Sequence, residues 1–509
     1  ASSMSKSITA AAAMRLAEKK ILNLDAPIKT QLKSWQLPDS EFSKPITLRM
    51  LLSHHAGLNV PGFPGFEKGE ILPTVLEQFD GLGASNTQPL RVVMEPGTKF
   101  RYSGGGYLLA QQLMMDVTGK KFDEIIREQI LEPLGMKHSY YNHPPSTEQL
   151  KFAAAGHDEN GEVIAGKFRV HTDLAASGLW TTPSDYALFV IALQKSIRGI
   201  PNSLLNTASA KAMITPENGP MGIGVFVSPR KNVNYLAHPG NNWGFYSIYF
   251  AHPEKGYGVV VFANHDNGSS LINEIVRSVA HQYNWQDFLP PFLDRVQPSI
   301  QDLDSCIGRY KISADDVLSV RRNAHRLIAS TTFSDEFQLI PVDRTRFVHP
   351  QEGIIYSFGT QEVSITNDYS FEGFGEETNK AAKMKEDETI PSELLSVGEI
   401  KEALKLLETI ITKNADAIDA SLLVSRAQSL IHCGKPKAAL ELMNWTSEKF
   451  SGIASVYDAM AEAAIALNDY PHATEASQKV LEALKTDFSS TASWRVVYKK
   501  RALQRLMLK

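Results

Sequence analysis

A chain that must pass through "LPPFLDRVQP" (289–298) cannot carry one continuous core across it. Three prolines fall within ten residues, and each removes a backbone donor and biases the residue before it away from the helix. The stretch 286–302 therefore reads as a linker. A second break, "EETNKAAKMKEDET" (376–389), is charged and holds no large apolar residue except Met384; with little to bury, it also reads as a linker. The chain of 509 residues has room for about three domains with their own cores. The two breaks delimit them as 1–285, 303–375 and 390–509.

The three stretches differ in texture. In the first, "SITAAAAMRLAEKKILNL" (7–24) is built of strong helix formers, and "YLLAQQLMMDVTG" (107–119) is an amphipathic helix stopped by Gly119. The segment 234–266 reads as two strands joined at "PEKGYG", and a helix over about 269–283 would cover their sheet. This predicts an α/β domain with a mainly antiparallel sheet flanked by helices. In the second stretch "RLIAS", "FQLIPV", "RFVHP", "IIYSFG", "VSITND" and "YSFEGF" recur about every ten residues with turns between, the pattern of a small antiparallel barrel or sandwich.

The third stretch repeats itself. "GEIKEAL" begins at 398, "GKPKAAL" at 434 and "NDYPHAT" at 468, offsets of 36 and 34, with Ala403, Ala439 and Ala473 aligned. Small residues at those places let paired helices approach closely. The period resembles the tetratricopeptide repeat, a helix–turn–helix unit that buries its apolar face only by stacking; an ordinary helical bundle is the other reading. The closing "WRVVYKKRALQRLMLK" would then cap the array.

A net charge of −4 supplies no broad basic face for nucleic acid. No apolar run approaches the 18 or so residues that span a bilayer. Cys306 and Cys433 fall in different domains, which argues against a structural disulfide and names no compartment. No leader is visible, but the chain begins at Ala1 rather than Met, so this decides nothing. No H-E-x-x-H, G-x-S-x-G or P-loop motif occurs, and neither a metal nor a cofactor is called for.

The chemistry lies near the start. In "SMSK" (3–6), Ser3 and Lys6 stand three apart and so share a helix face. In such an S-x-x-K pair the serine oxygen is the nucleophile and a desolvated amine helps remove its proton. "FRYSGGGY" (100–107) sets Tyr102 ahead of a glycine-rich turn, where a phenol beside an ammonium can act as general base. "AHPGNNWGF" (237–245) carries His238, Gly240 and Asn241 on a strand; the glycine would let a substrate backbone lie alongside, and the next N–H would face an oxyanion.

In that order these motifs resemble the serine β-lactamase and penicillin-binding-protein superfamily, in the branch of class C β-lactamases and their esterase and D-aminopeptidase relatives. The family pattern S-x-x-K, Y-x-N, K-T-G or H-x-G reads here as "SMSK", "YSG" and "HPG", and "LLSHHAGL" (51–58), "EPGTKFRYS" (95–103), "LEPLGM" (131–136) and "AASGLWTTPSDYALF" (175–189) also match. The resemblance covers 1–285. It implies that Ser3 is acylated, that Lys6 and Tyr102 share the proton transfers, and that the backbone N–H groups of Ser3 and Asn241 form the oxyanion hole. His238 would stand where the K-T-G lysine does, near the substrate carbonyl or carboxylate. Trp180 and Trp243 are candidate pocket walls, although a buried core position is the stronger reading for Trp180. The loop holding His54 and His55 is structural in the family, and an S-x-x-K enzyme needs no histidine base.

Two departures bear on substrate. Gly104 replaces the Asn of Y-x-N and removes an amide that contacts β-lactam and peptide side chains; His238 replaces a fixed cation with a group mostly neutral at pH 7. Restoring both would raise affinity for carboxylate ligands. In the family S-x-x-K also follows two strands and a helix, so either those precede Ala1 or another segment covers the sheet edge.

The expected protein is a serine hydrolase acting on ester, amide or peptide bonds, more an esterase or D-amino-acid peptidase or amidase than an efficient β-lactamase. A lipocalin-like β domain and tetratricopeptide-like repeats follow, the latter able to bind a protein partner or a second copy. The alternative is an inactive β-lactamase-fold adaptor. By the resemblance its location is periplasmic or secreted.

Overall fold

Alanine decides where the first helix sits. The helix Ser5–Glu18 carries Ala10–Ala13, and with Met4, Ile8, Met14 and Leu16 these side chains are buried. A helix this thin can lie inside the domain rather than on it. It stops at Glu18, short of the expected 24, because Lys20 turns left-handed (φ +58°) and the Lys20 and Ile21 N–H groups close back on Ala17 and Leu16 carbonyls. The computed structural model describes residues 1–285, 287–289, 293–350, 353–367, 377–487 and 492–507.

Four antiparallel strands make the sheet of this first unit: β1 (Phe226–Arg230), β2 (Val233–Asn242), β3 (Phe245–Ala251) and β4 (Gly258–Ala263), in that order. Runs such as "FYSIYFA" and "GVVVFA" are rich in aromatic and β-branched residues that fill a pleated face. The expected two strands over 234–266 are three, since Trp243 and Gly244 form a tight turn that Gly244 (φ +82°) permits. The helix Gly268–Gln282 covers the sheet with Ile272, Val276 and Ala280, one per turn. The helix Gly104–Thr118 begins at the Ser103 cap and ends at left-handed Gly119, the stop expected for it.

The chain divides into Ala1–Leu289 and Pro290–Lys509. In the second unit eight antiparallel strands close into a barrel: β5 (Gly308–Ser313), β6 (Asp316–Asn323), β7 (Arg326–Ser330), β8 (Phe337–Pro341), β9 (Arg346–Val348), β10 (Ile355–Phe358), β11 (Glu362–Asn367) and β12 (Glu377–Lys383). Closure leaves no edge to be covered. The expected strand "YSFEGF" lies outside the described residues. The expected linker 376–389 is corrected in part: its first half is β12, which pairs with β11 and β5 and closes the ring. That strand is polar because only one face meets the barrel core, to which it contributes Ala381.

The helices that follow belong to the same unit. Ile400–Lys413, Pro436–Lys449 and Tyr470–Ala483 recur at the 36- and 34-residue steps read in sequence, each paired with a neighbouring helix, and Ala403, Ala439 and Ala473 are buried. The basic closing helix Ala492–Arg505 packs against Tyr470–Ala483 and against the helix before it, Ala454–Ala466. Its Arg501 and Arg505 bind the buried Asp458.

Candidate active site

A 3₁₀ turn, Ser2–Met4, feeds the opening helix and sets three serines at its mouth. Ser2 donates to the Asn241 carbonyl (2.7 Å) and to Asn242 Oδ1 (2.8 Å), which ties the turn to β2. Ser5 donates to the Ser2 carbonyl and accepts from the Leu179 N–H; Ser7 donates to Gly224 and Thr9 to Ala175. These hydroxyls are committed to the backbone. Ser3 alone among the serines of this cluster keeps partial exposure, and its Oγ accepts from Lys6 Nζ at 3.1 Å. Lys6 is 2% exposed and its second bond goes to the Ala176 carbonyl at 2.9 Å. A buried amine held by one carbonyl and aimed at one hydroxyl can move a proton between them.

Tyr102 joins this pair by its ring. Lys6 Nζ stands 5.0 Å from the ring centroid, and no hydrogen bond to the Tyr102 hydroxyl occurs among the described residues. The half-buried ring lies between His54, with centroids 4.1 Å apart, and Phe226, stacked at 6.2 Å.

Strand β2 brings His238, Gly240 and Asn241 beside the turn, but two of them differ from expectation. His238 is 0% exposed, packed against Phe226 at 4.9 Å, so it does not line open space. Its Nδ1–H donates to the Pro239 carbonyl at 2.6 Å, and Nε2 has no partner among the described residues. Burial, with the Lys6 charge adding, pushes its pKa down to about 3 and keeps the ring neutral. Gly240 makes room for the chain itself rather than for a substrate: a β-carbon there would stand 2.3 Å from the Ala1 carbonyl oxygen and 2.6 Å from Ser247 Oγ. Asn241 is exposed.

Gly104 also has a packing reason. A β-carbon would lie 3.1 Å from Gly62 Cα and from the Pro61 carbonyl oxygen. The fit is tight, so a side chain at 104 requires the 61–63 loop to give by a few tenths of an ångström. An ammonium at 238 would likewise enter an enclosed site. Any gain in carboxylate affinity from restoring both would have to offset this crowding and the burial of a charge.

Trp243 at the β2–β3 turn is partly buried under the Arg169 guanidinium, 4.6 Å from its ring. Trp180 belongs to a small aromatic core with Phe66, Phe168 and Phe245. His55 is spent on the backbone, its ring nitrogens meeting the Ser53 and Asn218 carbonyls. Sequence reasoning missed the Ala176 carbonyl and Phe226, because a carbonyl acts whatever its side chain and Phe226 arrives through strand pairing. "AASGLW" was the only trace of the former. No group of side chains that could hold a metal occurs among the described residues, and no described helix is long and apolar enough to cross a membrane.

The family model "Beta-lactamase" matches residues 2–281, more than half of the chain, and the chain belongs to that family. Protein flp of Staphylococcus aureus (strain MW2) is 24% identical over 303 residues, 56% of this chain and 55% of that protein. The putative penicillin-binding protein PbpX of Bacillus subtilis (strain 168) is 25% identical over 276 residues, 53% and 62%. The match thus spans less than two thirds of either relative. Among solved structures, the octameric penicillin-binding protein homologue from Pyrococcus abyssi is 21% identical with TM-score 0.47, covering 75% of this chain and 87% of that one. The D-amino acid amidase from Ochrobactrum anthropi SV3 is 21% identical with TM-score 0.46, covering 56% and 84%.

Proposed function

We propose that this chain is a serine hydrolase working through an acyl-enzyme on ester or amide bonds. The observation that carries the reading is Lys6 Nζ, enclosed and 3.1 Å from Ser3 Oγ. Acting as the base, Lys6 takes the Ser3 proton as Oγ bonds to the substrate carbonyl carbon. The backbone N–H groups of Ser3 and Asn241 receive the oxyanion. The proton passes by way of Tyr102 to the leaving oxygen or nitrogen as its bond to carbon breaks. Water then attacks the acyl group, gives a proton back to Ser3 through the same residues, and releases the acid.

With no amide at Gly104 and a neutral His238, the site lacks two groups that would favour β-lactams and acidic peptide ends. Short-chain esters and amides with uncharged or D-configured ends are its substrate class. A fluorophosphonate probe should label the wild-type chain and leave S3A unlabelled, and p-nitrophenyl esters should turn over faster than a chromogenic cephalosporin. A wild-type chain that takes no probe and hydrolyses no ester would instead support a binding protein on this fold; a clear preference for the cephalosporin would overturn the substrate class.

A further inference from the structure

His54 occupies a position where a histidine is costly. It follows the short helix Leu48–Leu52 at the left-handed site beyond its cap, with φ +60°, where glycine or asparagine is the ordinary residue. A side chain kept there against its backbone preference points to a local task.

That task is visible in its bonds. The His54 carbonyl accepts the Arg101 N–H at 2.8 Å, and His54 Nδ1 accepts the Ser103 N–H at 3.0 Å. One residue therefore holds the backbone on both sides of Tyr102. Its ring, 1% exposed, also lies against the Tyr102 ring with centroids 4.1 Å apart and planes at 31°. Accepting at Nδ1 requires that the ring proton sit on Nε2, and among the described residues Nε2 has no hydrogen-bond partner through which a proton could be relayed. Burial first, then the Lys6 charge, holds the imidazole well below its usual pKa, so it stays neutral beside the ammonium. Because the Tyr102 hydroxyl has no hydrogen bond among the described residues, the phenol is located by what packs on its faces and pins its backbone.

We propose that His54 is the positioning residue of Tyr102: a neutral, Nε2-protonated ring that fixes the flanking backbone and walls one face of the phenol without exchanging a proton with substrate. This rests on the reading of Tyr102 as the proton-transfer group of a serine hydrolase. A displacement of a reacting group by about 1 Å can cost on the order of 100-fold in rate, so loosening this contact is read in kcat.

The test compares wild type, H54N and H54F with a p-nitrophenyl ester, alongside thermal unfolding. Asparagine tolerates the left-handed backbone and offers Oδ1 where Nδ1 stood; phenylalanine keeps a ring but loses the acceptor. H54N, which keeps the acceptor but not the ring, should retain clearly more kcat than H54F, which should lose about tenfold or more with KM little changed. A folded H54F with wild-type kcat, or an H54N that falls as far as H54F, overturns the proposal. If H54F does not fold, ¹⁵N-imidazole spectra of wild type decide, with the His54 signal identified by its absence in H54N. The expected ring has a bare Nδ1 and a protonated Nε2 from pH 5 to 9; a cation or the other tautomer overturns the clamp. A wild-type chain that takes no probe at Ser3 overturns the hydrolase reading alone, since the tautomer is read without turnover.

Discussion

Single side chains at this site are set by enclosure more than by charge. His238 and His54 are both buried neutral rings whose pKa values lie far below that of an exposed imidazole, His238 at about 3. The consequence for stability has a definite sign. Below about pH 6.5 the unfolded chain protonates these rings and the native chain does not, so the unfolded state binds more protons and stability falls as pH drops towards about 3. From pH 7 to pH 5 the His238 ring should remove about 2 kcal/mol, with His54 acting in the same direction. Urea unfolding across that range should show the slope, and H238N should flatten it, since Asn can still donate to the Pro239 carbonyl. An H238N slope equal to that of wild type would show that the ring is not the source.

Among elements, the β5–β6 turn of the barrel carries a second buried ion that joins it to helices. Asp315 accepts from the Ser392 N–H at 2.7 Å and Ser392 Oγ at 2.5 Å, at the start of the helix Pro391–Val397. Arg426, on the helix Ala420–His432, donates Nε to Asp315 Oδ2 at 3.3 Å and its NH2 group to the Asp315 carbonyl at 2.7 Å. Both partners are buried. Removing one leaves the other uncompensated, so D315A should cost about 3–5 kcal/mol, whereas D315L paired with R426M should cost less. Denaturant unfolding of each variant measures this; a D315A chain within about 1 kcal/mol of wild type would show the pair to be idle. The segment expected as a linker contains β12 and runs directly into the helix that this rivet holds. Its charged composition concealed a strand, because a barrel strand needs only one apolar face.

At the scale of the whole molecule, the second unit contains both barrel and helices, so a cut at 390 would sever the Asp315 contacts and remove part of one body. A cut after Leu289 follows the boundary that the prolines mark. The 1–289 chain should label at Ser3 and turn over a small ester within a few-fold of the full chain; a folded 1–289 that does neither would assign the second unit a share in the site. Local signals determined much here: prolines marked the boundary, the Ala-rich run gave the helix that places Ser3 and Lys6 one turn apart, strand spacing announced the barrel, and the 36- and 34-residue steps gave the helix pairs. These are periodic or steric properties of neighbouring residues, which a sequence records directly. Only the tertiary structure decided that His238 is enclosed, that Gly104 and Gly240 clear space for the chain's own backbone, that Ala176 holds Lys6, and that His54 grips both sides of Tyr102. Each of those depends on which backbone atoms arrive from distant segments, and a carbonyl oxygen or an absent β-carbon acts by position, without a residue type to announce it.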